Sequence, residues 1–546
     1  MKNSIKLSAL LVSALFAGSA CTDLDVDIVS TYTEYPDSEI ALEAKMADLY
    51  YGFGGALGRR YMEAALLSTD EFMAVSYGSN WYDGGNYVHS SLHASLESDA
   101  HVDWAGDITS AITKCNTVIT ELGGEDEDDA EQEANIAQAL AMRAFYHFIF
   151  MDTFGATPIM DHSIEDDEAI DRSPRSEVLE FIESDLIRAI NSGGLSEDVD
   201  ASTYGKPTVW MAKALLAKIY LNWAVYSCDD VADYTPSLTN SKLADCVEMC
   251  DDIINSGYFN LNDSYWDKFM PDNGYQITDF IYAMPFSNSE TSSRAMTYAR
   301  FQFWPKFNTD GAEGPGLFNQ YLSKNAGGIF LVTPEAADWF SLDGDDRNDI
   351  ILRDSLTYID ISTYERSSDP YMYDGQQVVL TKGITILNSN IDVGDDFAGW
   401  CQGYRCIKWA IQAEDYNTYS RNQSNDVPIF RYADILLMKA ECILRGATAT
   451  NGDTALSLFN QIRSYCNAPE LESTPTLDEL LEERGREFYA ETWRRNDLIR
   501  FGNFEDDWGY KHDYNPSAKT ELWRRIFPVS TGLMTSNTNW DQNYGY

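Results

Sequence analysis

The chain has 546 residues, 44% of them hydrophobic, and a formal net charge of −48. This excess of Asp and Glu excludes a surface for nucleic acid or for an anionic membrane, because binding to phosphate polymers depends on Lys and Arg that displace counterions. The charge says little about the fold, whereas the length and the hydrophobic content predict a large globular body. The acidic run at residues 125–129 is interpreted as a solvated loop.

The N-terminus has the pattern of an exported lipoprotein. Lysines precede an apolar run at residues 7–17, which has the length of a signal-peptide core and is too short to span a bilayer. We predict a signal peptide over residues 1–20, lipidation of Cys21 and an acidic tether over residues 21–34. An ordinary secreted protein, in which Cys21 is incidental, is the alternative.

Apolar residues at helical spacing predict a first block of helices. Ala137, Ala141, Ala144 and Phe148 follow one another at steps of four, three and four residues, as the buried face of a helix does. The same reasoning predicts helices over residues 37–51, 102–122, 178–189, 209–226 and 241–256. The helix at 209–226 is apolar on nearly all sides, so we expect it to be buried between other helices.

A second block of helices begins near Tyr432. Apolar stripes at residues 433–444 and 455–466 flank a turn at residues 446–452, which predicts two antiparallel helices. Their period is typical of tetratricopeptide-type hairpins, in which each helix pair buries its face by stacking on the next pair.

The segment between the two blocks, residues 257–427, has a different composition. It is rich in Asn, Asp, Gly, Tyr, Ser and Pro, and only short runs such as 377–381 and 383–387 resemble strands. Irregular segments of this length inside a domain usually carry function. We therefore expect a helical scaffold that presents an irregular face rich in aromatic residues.

Several stretches form an ordered set of motifs. They are residues 139–146 with 154–158, 172–186, 431–441, and 483–501, followed at the C-terminus by 527–528 and 542–546. In order and spacing this set resembles the SusD/RagB family of outer-membrane glycan-binding lipoproteins, over essentially the whole chain. The resemblance implies a mostly α fold, with a single α-rich domain at residues 35–546 that is built on four tetratricopeptide-like helix pairs and has an irregular, loop-rich face.

The resemblance also implies an internal organisation and a function. The organisation is a helical scaffold at residues 35–257 and 428–505, a loop-rich glycan-facing part at 258–427 and a C-terminal tail at 506–546. The function is the capture of oligosaccharide or polysaccharide by a lipid-anchored protein at the outer-membrane cell surface, and its delivery to a SusC-like TonB-dependent transporter. No catalytic residue, cofactor, metal ion or nucleic acid is expected. The alternatives are a glycoside hydrolase with two carboxylates and a tetratricopeptide-like scaffold for other proteins.

Two loops rich in aromatic residues are the candidate glycan-binding sites. Flat aromatic rings stack on the C–H faces of sugars, and Trp and Tyr combine an apolar body with a polar end. The first loop, residues 77–86, sets aromatic residues among Gly, Asn, Ser and Asp, and the second lies at residues 300–308. The predicted glycan-binding residues are Tyr77, Asn80, Trp81, Tyr82, Asp83, Phe303 and Trp304, with Trp266, Tyr275 and Tyr298 in reserve.

Two weaker patterns concern metal ions. His89, His93 and Glu97 follow at steps of four and would place three ligands on one helical face, but the pattern lacks the general-base Glu of metalloproteases. The Asp-Gly-Asp-Asp sequence at residues 343–346 could hold calcium, although a turn is the commoner use of such residues. No metal site is predicted.

Other charged and sulfur-containing residues are assigned to structure. Glu487, Glu491 and Arg494 fall at steps of four and three on one predicted helical face, where they would form a structural ion-pair network. Cys401 and Cys406 are close enough in sequence to form a disulfide, and the sequence leaves this pairing open.

Overall fold

The computed structural model of the protein describes residues 38–124, 130–164, 168–287, 296–308, 316–360, 363–418 and 421–546. The chain divides into two units, Met1–Lys45 and Met46–Tyr546. Of the first unit, only residues 38–45 at the start of the first helix are described. The predictions for the signal peptide, for Cys21, for the tether and for the loop at residues 125–129 lie outside the described residues.

Helices form most of the regular structure. The α-helices are Ser38–Tyr50, Gly54–Leu57, Arg60–Leu67, Val88–Ser91, Ala105–Glu121, Ala130–Phe154, Arg175–Asn191, Val209–Leu221, Trp223–Tyr226, Leu243–Ser256, Pro334–Trp339, Phe397–Trp400, Ala413–Thr418, Tyr432–Leu444, Ala455–Tyr465, Leu477–Glu487, Arg494–Phe501, Lys511–Tyr514 and Thr531–Ser536. The mostly α fold is therefore confirmed.

The helices of both predicted blocks form one stack. In chain order, neighbours pack on each other through the helices Ala105–Glu121, Ala130–Phe154, Arg175–Asn191, Val209–Leu221, Leu243–Ser256, Tyr432–Leu444 and Ala455–Tyr465. Ala137, Ala141, Ala144 and Phe148 are fully buried, as their spacing predicts. The pairing of Leu243–Ser256 with Tyr432–Leu444 joins the two blocks into a single scaffold, although the whole loop-rich segment separates them in sequence.

The long apolar helix differs from the prediction at one residue. The helix Val209–Leu221 is capped by Asn222, and a short helix, Trp223–Tyr226, follows. The side-chain amide of Asn222 donates a hydrogen bond to the Lys218 carbonyl at 2.8 Å, so this side chain binds the turn before it. Burial between other helices is confirmed, since even Lys218 is fully buried and pairs with Asp434 at 2.5 Å.

The strands are short and pair only in twos among the described residues. They are Phe72–Ala74, Phe280–Met284, Phe330–Val332, Ile351–Leu352, Asp354–Ser355, Thr357–Ile359, Arg366–Pro370, Met372–Tyr373, Gln376–Gln377, Val379–Leu380, Arg405–Cys406 and Val427–Arg431. The strand predicted at residues 377–381 is present in part, and residues 383–387 form no strand.

Two of these pairings position the irregular part of the chain. Phe280–Met284 pairs antiparallel with Val427–Arg431, so the segment between them leaves the helical stack and returns to it at one place. Phe72–Ala74 pairs with Phe330–Val332, which brings the loop after residue 74 to that same irregular segment. The first aromatic loop therefore begins beside the irregular segment that contains the second one.

A buried ion network ties the C-terminal helices to the rest. Glu483 pairs with Arg347 at 2.7 Å, with Arg463 at 2.5 Å and with Arg486 at 2.9 Å, and its side chain is fully buried. Burial by itself would raise the pKa of Glu483, but these three guanidinium groups lower it to about 2.

The predicted arrangement of the network on one helical face is wrong. Helix Leu477–Glu487 ends at Glu487, Glu491 lies in the following turn, and Arg494 begins the next helix. Glu487 and Glu491 instead both pair with Arg431, at 2.8 and 2.9 Å, and Arg494 pairs with Asp70 at 2.6 Å. The network is structural, as predicted, but it joins distant parts of the chain.

The Glu483→Gln variant should lose about 3–5 kcal/mol of unfolding free energy at pH 7, because three buried guanidinium groups lose a shared counter-charge. The pKa of Glu483 is lowered from 4.5 to about 2 in the folded protein, so its contribution is fully present above pH 4.5 and is lost as the pH falls through about 2. The stability difference between wild type and variant, measured by denaturant unfolding, should therefore shrink below pH 4.5. The exposed Glu472→Gln is the control, and equal stability of both variants at pH 7 would contradict the assignment.

Candidate functional site

The first aromatic loop has a strained backbone. Ser79, Trp81 and Asp83 have φ values of 74°, 68° and 47°, in the left-handed region that side chains other than glycine rarely adopt. Residues held there cost about 1–3 kcal/mol each and persist only where the surroundings fix them. Such strain is typical of segments that present side chains for binding.

Two carboxylates of a further loop, residues 392–400, which includes the short helix Phe397–Trp400, hold the first loop in place. The backbone N–H of Gly78 donates to Asp392 at 2.8 Å, and the side-chain amide of Asn80 donates to Asp395 at 3.1 Å. The other oxygen of Asp395 accepts a hydrogen bond from the indole N–H of Trp400 at 3.0 Å. Asp395 thus binds both Asn80, the residue before Trp81, and Trp400.

The predicted residues of the first loop have different environments. Trp81 and Tyr82 are half-buried, and Asn80 and Asp83 are exposed, so all four are accessible to a ligand. Tyr77 is buried, and its hydroxyl donates a hydrogen bond to the Gly328 carbonyl at 2.6 Å. Tyr77 is therefore corrected from a ligand contact to an anchor of the loop.

The second predicted loop does not reach the surface. Trp304 is 0% exposed and Phe303 is 1% exposed, so neither ring offers a face to a ligand. Trp304 donates its indole N–H to the Trp400 carbonyl at 3.0 Å and packs edge-to-face on Tyr373, with ring centroids 5.3 Å apart. Both predictions are corrected: these residues form the core that supports other aromatic residues above them.

Those other aromatic residues form a surface that the sequence analysis missed. Tyr373, Phe397 and Trp400 are half-buried and pack against the core that contains Trp304. Tyr373 stacks on Phe397 at 6.5 Å with an interplanar angle of 15°, and meets the edge of Trp400 at 6.0 Å. We call Trp81, Tyr373, Phe397 and Trp400 the aromatic platform.

A composition signal for the missed residues was present in the sequence. Residues 395–400 read Asp-Asp-Phe-Ala-Gly-Trp, which sets aromatic residues among Asp and Gly as the first loop does. That the two loops lie side by side is visible only in the structure, for example in the hydrogen bonds from the first loop to Asp392 and Asp395.

A buried arginine holds the base of the platform. Arg405 is fully buried and donates to the Tyr77 hydroxyl at 3.2 Å and to the carbonyls of Trp400 at 3.2 Å and Gly403 at 2.6 Å. Burial lowers the pKa of Arg405. Because its partners belong to both loops, Arg405 fixes their relative position.

The charges at the outer rim of the platform are mostly negative. Asp83, Asp395 and Asp396 are exposed there, whereas the Lys306 ammonium lies 4.4 Å from the ring centroid of Trp400. A cation at this distance is attracted by the face of an indole ring. The platform thus combines ring faces with carboxylate acceptors for hydroxyl groups.

One of the reserve residues, Trp266, packs against the same buried core as Tyr373, Phe397 and Trp400, but none of the three reserve residues belongs to the platform. Trp266 is half-buried with its ring centroid 5.1 Å from that of Tyr364, Tyr298 is fully buried, and Tyr275 is 59% exposed. None of the platform residues is among their ring partners in the described part of the chain.

The histidine pattern is not a metal site. The helix Val88–Ser91 ends before His93, so the three residues do not share a helical face, and that expectation is corrected. His89 pairs with Asp99 at 3.0 Å, and the ring of His93 stacks on Phe504 at 4.2 Å. Within the described ranges, no group of three His, Cys, Asp or Glu side chains is arranged to hold a metal ion.

The Asp-Gly turn and the cysteines also serve structure. The Asp345 carboxylate caps the following turn and pairs with Arg347 at 2.8 Å, and Asp346 accepts a hydrogen bond from Asn467 at 2.7 Å. Cys401 and Cys406 are buried free thiols, so the open question of their pairing is answered by two separate cysteines.

A large cleft lies elsewhere on the molecule. Its volume is 670 Å³, and its lining includes the helix ends around Leu221 and Leu243 and the turn after Arg445. Tyr234 is the one aromatic residue among the residues that line it, and Tyr234 is 3% exposed. This cleft therefore lacks the ring faces that the platform offers.

Comparison with known families identifies the fold. The SusD family model matches residues 278–546. A second family model, described as starch-binding associating with outer membrane, matches residues 24–221. The chain belongs to the SusD family. Among the residues that the structure describes, no helix is both long enough and apolar enough to cross a membrane.

Individual relatives agree with this assignment. The starch-binding protein SusD of Bacteroides thetaiotaomicron is 24% identical over 467 residues, which cover 80% of this chain and 76% of that protein. A SusD-like protein of Bacteroides ovatus is 26% identical over 529 residues, or 92% of this chain and 83% of that protein.

Solved structures show the same fold. Surface glycan-binding protein A of Bacteroides thetaiotaomicron, in complex with laminarihexaose, has a TM-score of 0.68 at 19% identity and covers 92% of this chain and 99% of its own. A SusD superfamily protein of Parabacteroides distasonis has a TM-score of 0.67 at 19% identity, with 93% of this chain and 100% of its own covered.

The buried and the half-buried tryptophans should respond differently to truncation. Trp304→Ala should lower the free energy of unfolding by about 3–5 kcal/mol, because it empties a site in the core. Trp81→Ala should lower it by less than about 1 kcal/mol, because part of that ring already faces solvent. Denaturant unfolding of both variants measures the difference, and equal losses would contradict the corrected positions.

Proposed function

We propose that this protein is a cell-surface, glycan-binding lipoprotein that captures oligosaccharide or polysaccharide and delivers it to a SusC-like TonB-dependent transporter. The observation that carries the proposal is the aromatic platform, on which Trp81 and Trp400 lie on either side of one carboxylate that fixes both loops. Half-exposed rings held by hydrogen bonds can stack on sugar faces without first losing side-chain freedom.

The relatives support the same function. Two of them are named for binding starch or surface glycans, and one was solved with laminarihexaose bound. The family model that matches residues 24–221 is described by its association with the outer membrane. Delivery to a transporter and lipid anchoring at Cys21 are inferred from family membership and from the N-terminal sequence pattern.

The carboxylates of the platform loops are arranged for binding a glycan and not for cleaving it. A glycoside hydrolase needs two carboxylates, about 5–5.5 Å apart in retaining enzymes and about 6.5–9.5 Å apart in inverting ones, with one free to protonate the leaving oxygen. Both oxygens of Asp395 accept hydrogen bonds from platform loops, and Asp392 accepts two from backbone N–H groups, so these carboxylates fix structure. Release of product from a panel of polysaccharides incubated with the protein would favour the hydrolase instead.

Removal of either tryptophan should weaken glycan binding. Trp81→Ala and Trp400→Ala should each reduce retardation in gels that contain the bound polysaccharide, by about tenfold or more in affinity, while circular dichroism stays unchanged. Trp223→Ala is the matched control, since Trp223 is also half-buried but lies in the helical scaffold.

Full retardation in both platform variants would remove the site assignment. A tetratricopeptide-like scaffold for other proteins predicts instead that polysaccharide does not retard even the wild type, because its ligand is a protein that binds the stacked helices.

Anchoring should depend on one residue. In cells that express the full chain, Cys21→Ala should move the protein from the membrane fraction to the medium or the periplasm, because the acyl chains provide the membrane affinity. Metabolic labelling with a fatty acid should mark the wild type and not the variant. A variant that remains in the membrane fraction without label would show that another segment anchors the chain.

If the protein captures glycans for import, it should form a stable complex with a transporter in the outer membrane. Cross-linking in outer membranes of the source cell, followed by purification of the protein, should recover a TonB-dependent transporter. Recovery of the protein alone would separate glycan capture from delivery.

A further inference from the structure

An unpaired arginine lies directly behind Trp81. Arg300 is 6% exposed, and its Nε and Nη1 atoms are buried without a hydrogen-bond partner in the described part of the chain. Its guanidinium carbon lies 5.4 Å from the ring centroid of Trp81 and 4.2 Å from that of Phe301. Aromatic rings attract this cation, but they do not satisfy its N–H groups.

A second arginine approaches the same place. Arg421 donates through Nη1 to the Asn325 carbonyl at 3.2 Å, and its Nε is buried and unpartnered. A Cβ added at Gly327, two residues further on, would lie 3.6 Å from Nη1 of Arg300. Both guanidinium groups therefore lie against the short segment 325–327.

Within the described ranges, neither of these two guanidinium groups is paired with a carboxylate. Glu63 pairs with Arg59 at 3.1 Å and with Arg60 at 2.8 Å, and not with Arg300 or Arg421. Burial lowers the pKa of Arg300 to about 10, and the charges of Arg421 and Arg59 act in the same direction. The hydroxyl of Tyr416, whose carbonyl accepts a hydrogen bond from the backbone N–H of Arg421 at 2.9 Å, is another buried polar group without a partner.

Such an arrangement is unexpected in a chain with a net charge of −48. A buried guanidinium group without a counter-ion is costly, and a few rearranged side chains of this acidic protein could supply one. An excess of unpaired cations at the buried edge of a binding surface is what recognition of an anionic group requires.

We infer that Arg300 and Arg421 form an anion subsite beside Trp81, and that it binds the carboxylate or sulfate group of an acidic glycan whose neighbouring ring stacks on Trp81. This inference rests on the proposed glycan-binding function and adds the class of ligand. The exposed Asp83, Asp395 and Asp396 repel anions from the outer rim, so the acidic unit is directed to the arginine side.

Binding titrations with the full mature chain test the inference. The probes are an oligogalacturonide, a sulfated oligosaccharide, a neutral glucan oligosaccharide, and free acetate and sulfate. Wild type should bind at least one acidic oligosaccharide about tenfold or more tightly than the neutral one, and added salt should reduce this preference.

Variants assign the preference to the two residues. Arg300→Met and Arg421→Gln should each abolish the preference for the acidic probe and leave binding of the neutral probe unchanged. Arg188→Met is the control, because Arg188 has a carboxylate partner, Glu133, at 2.6 Å in the helical scaffold. Without ligand, Arg300→Met should unfold at a temperature no lower than wild type does, since it removes an unpaired charge; saturating acidic ligand should raise the unfolding temperature of wild type but not of this variant.

The outcomes separate the two proposals. Equal binding of neutral and acidic probes in wild type and variants overturns the anion subsite and leaves glycan binding intact. Protection by free sulfate or acetate alone, with no preference among oligosaccharides, assigns the arginines to small anions and also overturns the inference. Failure of every saccharide to bind overturns the proposed function itself.

Discussion

The placement of the platform depends on one buried arginine. Arg431 ends the strand Val427–Arg431, and its guanidinium group pairs with Asp279 at 2.7 Å, Glu487 at 2.8 Å and Glu491 at 2.9 Å. Asp279 immediately precedes the partner strand, so this cluster closes the base of the irregular segment and fixes it to the C-terminal helices. A cluster so fully buried is strongly destabilised when one partner is missing, which favours a single arrangement of the two ends.

Above this base, the structure separates aromatic residues into two layers. Trp304, Phe303 and Tyr77 are buried, and the polar atoms of Trp304 and Tyr77 have partners within the protein. Tyr373, Phe397 and Trp400 pack on the core that contains Trp304, Trp81 packs on Phe301, and all four remain partly exposed. The lower layer gives the upper one its rigidity, because stacking on a sugar gains little if the ring must first be ordered. Asp395 and Arg405 complete this arrangement by tying the two loops together.

The two sides of the platform carry charges of opposite sign. The outer rim carries exposed aspartates, as expected for a chain with a net charge of −48, whereas the side behind Trp81 carries Arg300 and Arg421, which have no carboxylate partner among the residues that the structure describes. On the acidic side, hydroxyl groups of a glycan can donate hydrogen bonds to the aspartates. On the arginine side, a negatively charged group of the glycan is favoured. A glycan chain that lies across the platform would therefore have a preferred direction.

The sequence by itself determined the helical scaffold and the family. Spacing of apolar residues along single helices, such as Ala137 to Phe148, is a local property, and the family motifs are linear patterns. It also marked the loop of Trp81, because strained turns select Gly, Asn, Asp and Ser. The sequence could not decide which aromatic residues face solvent: Trp304 and Trp400 both lie near other aromatic residues in the irregular segment, but one is covered and the other is partly exposed. Exposure of a ring and the partner of a buried charge depend on contacts between residues far apart in sequence, and only the tertiary structure brings those residues together.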